Sequence, residues 1–356
     1  MSLRIALLTG RPSGACGVAD YSARLADALE RSGAAVTLVT RERWDLRAAR
    51  DVRRSLRRLR PDVVHLQYPT ADYRTSLAPH LLALAAQPLV VTLHEASLAH
   101  ALRKVTLPAL LVRARAVVFT STPERDHVVG RAPWVGSRST VIPIASNIPI
   151  ADPFPPREPR VAFFGLLTPE KGLDDVLELA RLARRRPGTR VLVVGRPERR
   201  YPDLPARLRE QASGLPVDIA LDRDAEEVAH LLAASAVGYL PFPDGASARR
   251  GSLLALLVNG VPTITTPGPF VDAELDAAVT LADDASSAWG AIERLLDDDA
   301  ARAAAAEAAR RYGAARDWAE IAARHVALYG RVRRGADGSG RSQADAPDAP
   351  DVMSRS

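Results

Sequence analysis

Short apolar runs alternate with longer stretches of helical period along most of this chain. Arg4–Leu8, Val63–Leu66, Leu89–Leu93, Ala116–Phe119, Val161–Gly165, Val237–Phe242 and Val261–Thr265 read as buried strands bounded by turn residues. Between them, Leu173–Leu182 and Ser252–Asn259 carry apolar residues at helical spacing, the second stopped by Gly260 with Pro262 just beyond. Strand followed by helix, repeated, predicts an α/β fold with parallel sheets. Ala151–Arg160 holds four prolines, an extended stretch unable to form a helix. The predicted boundary falls there, giving one α/β domain over 1–155 and a second over 156–334. Residues 335–356 are polar without an apolar period and are predicted to be a disordered tail.

Composition narrows the class. At 356 residues, 47% hydrophobic and 25% charged, the chain has the make-up of a soluble globular protein of two ordinary domains. Its one cysteine, Cys16, excludes an intramolecular disulfide and fits a reducing cytoplasm. The residues flanking Cys16 make it a small residue in a glycine loop. The opening MSLRIALLTG has no cleavage site, and the apolar stretch Leu81–Leu93 is interrupted by Gln87 and Pro88. The net charge of +6 is concentrated in arginines of Arg41–Arg60, where Leu46, Ala49, Val52, Leu56 and Leu59 share one helical face. That helix reads as a surface helix packed by its apolar stripe. Its second reading is a peripheral contact with an anionic membrane or a lipid-linked acceptor. No nucleic-acid motif is present.

Candidate chemistry sits at two strand–loop–helix junctions. Only two of the 48 basic residues are lysines, Lys104 and Lys171. Lys171 lies in LLTPEKG between the strand VAFFG and the helix beginning at Leu173. There, free N–H groups and the helix dipole favour an anion. The second junction, DGASARRGS, offers Arg249 and Arg250 and the amides near Gly251 and Ser252. Two basic junctions in one half point to a diphosphate, bound at the sheet edge where open α/β sheets take ligands. Asp222 and Asp224 have the DxD spacing of a metal–diphosphate site, a spacing common by chance.

These segments, together with Gly14–Gly33, Pro61–Pro69, Val90–Ser97, Ala116–Val128, Val141–Pro149 and Asp317–Tyr329, occur in the order and spacing of the retaining glycosyltransferases of family 4. The resemblance covers about residues 3 to 330. It implies the GT-B fold, two facing Rossmann-like domains with a site in the cleft between them. It implies sugar transfer from a nucleotide sugar to a glycan, lipid-linked or small-molecule acceptor. Cations and amides would do the metal's work, with no resident cofactor. By the same resemblance His94 and Lys171 are the catalytic candidates, with Glu95 a weaker one. Gly17, Ser121, Lys171, Arg249, Arg250, Gly251 and Ser252 are the donor-binding candidates, and Asn147 helps close the cleft. Three positions depart from the family pattern. Leu166 stands where the family has an arginine, and Ser247 and Ala255 where it has two glutamates, the second of which holds the nucleotide ribose. Those departures keep open a catalytically degenerate glycan-binding or scaffold protein. A sugar-nucleotide epimerase shares the two-domain fold.

Overall fold

The structure, a computed structural model, describes residues 2–12, 16–85, 88–94 and 101–341; the side chains of Ala85, 101–105 and 336–341 are excluded. Glu95, the side chain of Lys104 and the expected tail beyond residue 341 lie outside this set.

The first half runs β1 (Arg4–Leu8), α1 (Gly17–Arg31), β2 (Ala35–Val39), α2 (Leu46–Leu59), β3 (Val63–Tyr68), α3 (Ala78–Ala85), β4 (Leu89–Leu93), α4 (Ala101–Arg113), β5 (Ala116–Phe119), α5 (Thr122–Arg131) and β6 (Ser139–Val141). All strands pair in parallel, in the order β2-β1-β3-β4-β5-β6. A parallel sheet needs cover on both faces, which explains why β3, β4 and β5 are buried at every position. Ala49, Val52, Leu82 and Leu111 fill one face. Tyr21, Leu25 and Leu29 fill the other.

The second half runs β7 (Glu158–Leu167), α6 (Leu173–Ala183), β8 (Arg190–Pro197), α7 (Leu204–Gln211), β9 (Val217–Leu221), α8 (Ala225–Ala233), β10 (Ser235–Leu240), α9 (Gly251–Val258), β11 (Thr263–Thr265), α10 (Ala273–Asp276), β12 (Thr280–Leu281), α11 (Ala285–Asp297) and α12 (Asp299–Ala314). Its sheet is also parallel, ordered β12-β11-β10-β7-β8-β9. In each sheet the chain reverses its direction of winding beside the first strand, between β1 and β3 and between β7 and β10. Such switch points open a crevice at the carboxyl ends of the strands.

The chain passes between the halves twice. The first crossing is the proline stretch. Asn259 fastens it, accepting from the Ala151 amide at 2.9 Å and donating to the Pro149 carbonyl at 3.0 Å. The second leads into α13 (Trp318–Arg341), whose Ile321, Ala322, Leu328, Tyr329 and Val332 enter the core of the first half beside α1. This helix runs past the boundary expected at residue 334. Its last core residue is Val332, and the extension follows from a hydrogen-bond ladder that adds one bond per residue once nucleated.

The arginine-rich helix forms, with Asp45 as its cap, accepting from the Ala48 amide at 2.8 Å. Its apolar stripe is shorter than the spacing predicts. Ala49 and Val52 are buried and Leu56 packs against the core, but Leu46 and Leu59 at the two ends are exposed. A helix of 14 residues spans roughly 21 Å, longer than the roughly 17 Å of a five-residue strand such as β1.

Candidate functional site

The second half builds its side of the crevice from the ends of β7 and β10. After β7 the chain makes one tight turn, Pro169–Lys171, and enters α6 through Gly172 at φ +70°. A side chain at Gly172 is doubly excluded. The backbone conformation is left-handed, and a Cβ would lie 2.0 Å from the Pro241 carbonyl oxygen. Close packing of this turn against the end of β10 therefore fixes where Lys171 stands. Its charge reaches Asp244, just beyond β10. Burial pushes the Asp244 carboxyl upward, but the Arg250 guanidinium and Lys171 outweigh it and hold the group below its ordinary value. Arg250 donates to Asp244 and to the Gly245 carbonyl and lies over the Phe242 ring. Gly251 and Ser252 open α9, and Ser252 lies over β7, its Cβ 4.0 Å from where a Cβ on Gly165 would be.

The adjacent arginines diverge. Arg249 points across the crevice, donating to buried Glu124 of α5 at 2.9 Å and to the His94 carbonyl at 3.1 Å, with its guanidinium over Phe270. It thus ties the two halves together. Its Nε is buried without a partner among the described residues.

The first half contributes a buried, neutral edge. His94 follows β4 and meets Tyr21 edge-on at 5.5 Å. Its Nε2 lies 2.7 Å from Gln67 Oε1 on β3. The Gln67 amide nitrogen is 3.2 Å from His65 Nε2, Thr92 Oγ1 is 2.7 Å from the same nitrogen, and His65 Nδ1 is 2.6 Å from the Tyr329 hydroxyl of α13. One proton assignment satisfies the whole chain. His94 Nε2–H donates to Gln67 Oε1, Thr92 donates to His65 Nε2, and His65 Nδ1–H donates to Tyr329, with the Gln67 amide nitrogen near both nitrogens of the His65 ring. His94 Nδ1 is then its unprotonated nitrogen. Burial, the Arg249 charge and His325 push the His94 pKa down to about 3, so the ring is neutral at pH 7. Burial also holds His65 well below its ordinary value.

The two edges enclose a cavity of about 410 Å³, lined by Gly17, Tyr21 and His94 on one side and by Arg249 and Gly251 on the other. A Cβ on Gly17 would meet nothing within 4 Å, so this glycine leaves room in the cleft. Cys16 lies beside it, accepting weakly from the Ala71 amide at 3.4 Å. A second cavity of about 500 Å³ adjoins the first and shares Asn147, whose Oδ1 is buried without a partner among the described residues. Leu166, Gly195 and Arg196 line it from the second half and Asp20 and Arg24 from the first. Ser121 lies elsewhere, in a smaller pocket of about 240 Å³ beside Glu274 and Arg316 that, among the described residues, shares only Thr120 with the main cavity. Lys171, Arg250 and Ser252 stand on the same rim but are not among the residues lining these cavities.

Sequence reading missed Gln67, Glu124, Asp244 and Arg196. Arg196 carried a usable signal, a cation at the end of the apolar strand VLVVG. Gln67 and Glu124 carried none, because only burial in the folded protein distinguishes them from surface polar residues. Asp224 lines the larger cavity beside Arg196, while Asp222 is not among its lining residues. Asp222 faces Arg196 at 3.9 Å, and Asp224 caps α8 by accepting from the Glu227 amide at 2.7 Å. At the positions of the family's two glutamates, Ser247 is buried and Ala255 lies wholly within the core of the second half.

The family described as Glycosyltransferase Family 4 matches residues 40–145, and that described as Glycosyl transferases group 1 matches residues 158–298. The two matches fall one on each half of the cleft. The chain belongs to the group 1 glycosyltransferases. Its fold is GT-B, as in several solved structures. A sucrose-phosphate synthase from Thermosynechococcus elongatus is similar at 19% identity and a TM-score of 0.68, over 94% of this chain and all of that one. HepE from Anabaena, solved with UDP and glucose, is similar at 15% identity and 0.68, over 94% and 100%. A glycosyltransferase from Rickettsia africae ESF-5 is similar at 13% identity and 0.70, over 93% and 98%. No curated protein matches the chain by sequence.

Proposed function

We propose that this glycosyltransferase moves a sugar from a nucleotide-sugar donor to an acceptor with retention of anomeric configuration and without a metal. The acceptor belongs to polysaccharide, glycolipid or natural-product assembly. The observation that carries this reading is the cavity between the halves, where neutral His94 and open Gly17 face Arg249 and the amino end of α9. HepE, solved with UDP and glucose, is similar in fold.

In this reading the diphosphate lies against the amides of Gly251 and Ser252, with Lys171 and Arg250 supplying positive charge from the same rim. The nucleoside extends into the larger cavity beside Gly165 and Arg196, where Arg196 stands in for the arginine replaced by Leu166. As the bond between the anomeric carbon and the phosphate oxygen breaks, fixed cations and N–H groups stabilise the charge that develops. The acceptor oxygen bonds to the same face of the anomeric carbon, and its proton passes to the departing phosphate. Neutral His94 accepts a hydrogen bond from a sugar hydroxyl through Nδ1, since Nε2 is committed to Gln67. Neither a carboxylate nucleophile nor a metal is needed for this sequence of events.

A panel of nucleotide sugars, offered with and without excess EDTA, tests the proposal. The expected result is nucleotide release with the sugar delivered in its original anomeric form, unchanged by chelation. Loss of turnover on chelation, with rescue by Mg²⁺ or Mn²⁺, overturns the metal-independent reading. Binding without turnover of any donor would favour a degenerate glycan-binding protein, the outcome to which buried Ser247 and Ala255 lend weight. A changed sugar configuration without nucleotide release would favour an epimerase.

A further inference from the structure

Helices α2, α3 and α4 lie side by side on one face of the first sheet, α3 in the middle, all packed into the same core. The inner side of α3 is Ala78, Leu82 and Ala83. Its outer side presents Leu77, Leu81 and Leu84, spaced four and three residues apart and 52%, 43% and 50% exposed. Val112 of α4 is 60% exposed. On the other flank, α2 carries six arginines, all exposed, against the single acidic residue Asp51. Arg54 pairs with Asp51 at 3.4 Å, which leaves the helix strongly positive.

An aligned row of leucines beside a row of guanidiniums is costly in water alone. The leucines keep apolar area hydrated, and the arginines repel one another. One surroundings satisfies both, the boundary of an anionic bilayer. There apolar side chains enter the acyl region while arginines meet the headgroup phosphates. A nucleic acid would use the charge but leave the leucines unmatched, and no aromatic row is present for base stacking. We propose that this α2–α3 face docks peripherally on an anionic membrane. Helices that follow parallel strands begin at the strands' carboxyl ends, so exposed Leu46 and Leu77 mark the end of the face nearest the cleft. A docked molecule would hold the cleft rim beside the lipid surface, where a lipid-borne acceptor is within reach. Docking is independent of the donor and of turnover, and stands or falls separately from the proposed reaction.

The experiment is co-sedimentation of the full chain with vesicles of phosphatidylcholine, alone and mixed with phosphatidylglycerol, at low and high salt. The chain should bind the mixed vesicles, bind the neutral ones far less, and be released by salt. Arg50→Gln/Arg53→Gln/Arg57→Gln should weaken binding about fivefold per arginine, roughly a hundredfold in all. Leu77→Ser/Leu81→Ser/Leu84→Ser should weaken it about tenfold or more while keeping the salt dependence. All six positions are exposed, so melting temperatures should stay near that of the parent. If a triple variant melts early, Arg53→Gln and Leu81→Ser are compared singly. No binding, equal binding to neutral vesicles, or binding indifferent to both sets overturns the proposal. So does a parent chain that sediments as a dimer made monomeric by the leucine changes, which would assign this face to a second copy of the protein.

Discussion

The two rims of the cleft are built on the same plan and filled with opposite chemistry. Each lies at a switch point of a six-stranded parallel sheet. On the rim of the second half, Lys171, Arg250 and Asp244 form a charged cluster with a net positive balance, reachable by water. On the rim of the first half, His94, Gln67, His65 and Thr92 form a buried chain of neutral groups that ends on Tyr329 of the closing helix. A charged rim can neutralise an anion but orients it loosely. A neutral, fully bonded rim holds one nitrogen in a fixed place and state, which suits a hydroxyl. Arg249 and Glu124 join the two.

Acid should strain the two rims most unequally. His94, His65 and His325 are all held neutral by burial, the first down to about 3 and the last to about 4. Their folded pKa values are depressed, so the unfolded chain binds more protons below the ordinary histidine value. Stability is full above pH 6.5 and falls as pH drops towards 3. The loss is about 1.4 kcal/mol per pH unit for each group until its own folded value is reached, near pH 4 for His325 and near pH 3 for His94. All three belong to the first half and the helix packed on it. Hydrogen exchange at pH 5 should therefore show β3 and β4 opening well before β7 and β10. Equal loss in both halves would dissolve the contrast.

Next in size is the joint between the rims. Arg249→Ala removes the cation that faces buried Glu124, and breaking such a buried pair costs about 3–5 kcal/mol. A lowered melting temperature, partly restored by adding Glu124→Gln, is the expected outcome. Arg250→Ala should cost far less, because Asp244 keeps Lys171 and solvent.

His94→Ala should lower turnover by about 2–4 kcal/mol of transition-state stabilisation with nucleotide affinity nearly unchanged, while losing the donor to buried Gln67 also lowers the melting temperature. A histidine that only supports the fold would reduce binding and rate together. Lys171→Ala is the mirror case on the charged rim. Calorimetry should find nucleotide-diphosphate binding weakened by about 1.5–3 kcal/mol, the worth of a hydrogen bond to a charged group. If His94→Ala weakens binding and Lys171→Ala does not, the division of labour between the rims is reversed.

The chain's order of elements was legible without the structure, because parallel strands buried on both faces must be continuous apolar runs, and VVHLQY, LVVTL and VAFFGLL announce themselves. Strand-end cations were legible too, since Lys171 and Arg249 sit at junctions whose position follows from the same pattern. Which way those cations turn was not. Arg249 and Arg250 are neighbours with identical side chains, and only the tertiary arrangement around the start of α9 sends one to Glu124 and the other to Asp244. The state of His94 is likewise a tertiary property. It depends on Gln67, 27 residues earlier, and on the depth of burial, which sequence spacing does not encode. The leucine row of α3 is the reverse case. Its residues are plainly apolar in the sequence, and only the assembled sheet, taking Ala78, Leu82 and Ala83 into the core, leaves the other three facing out.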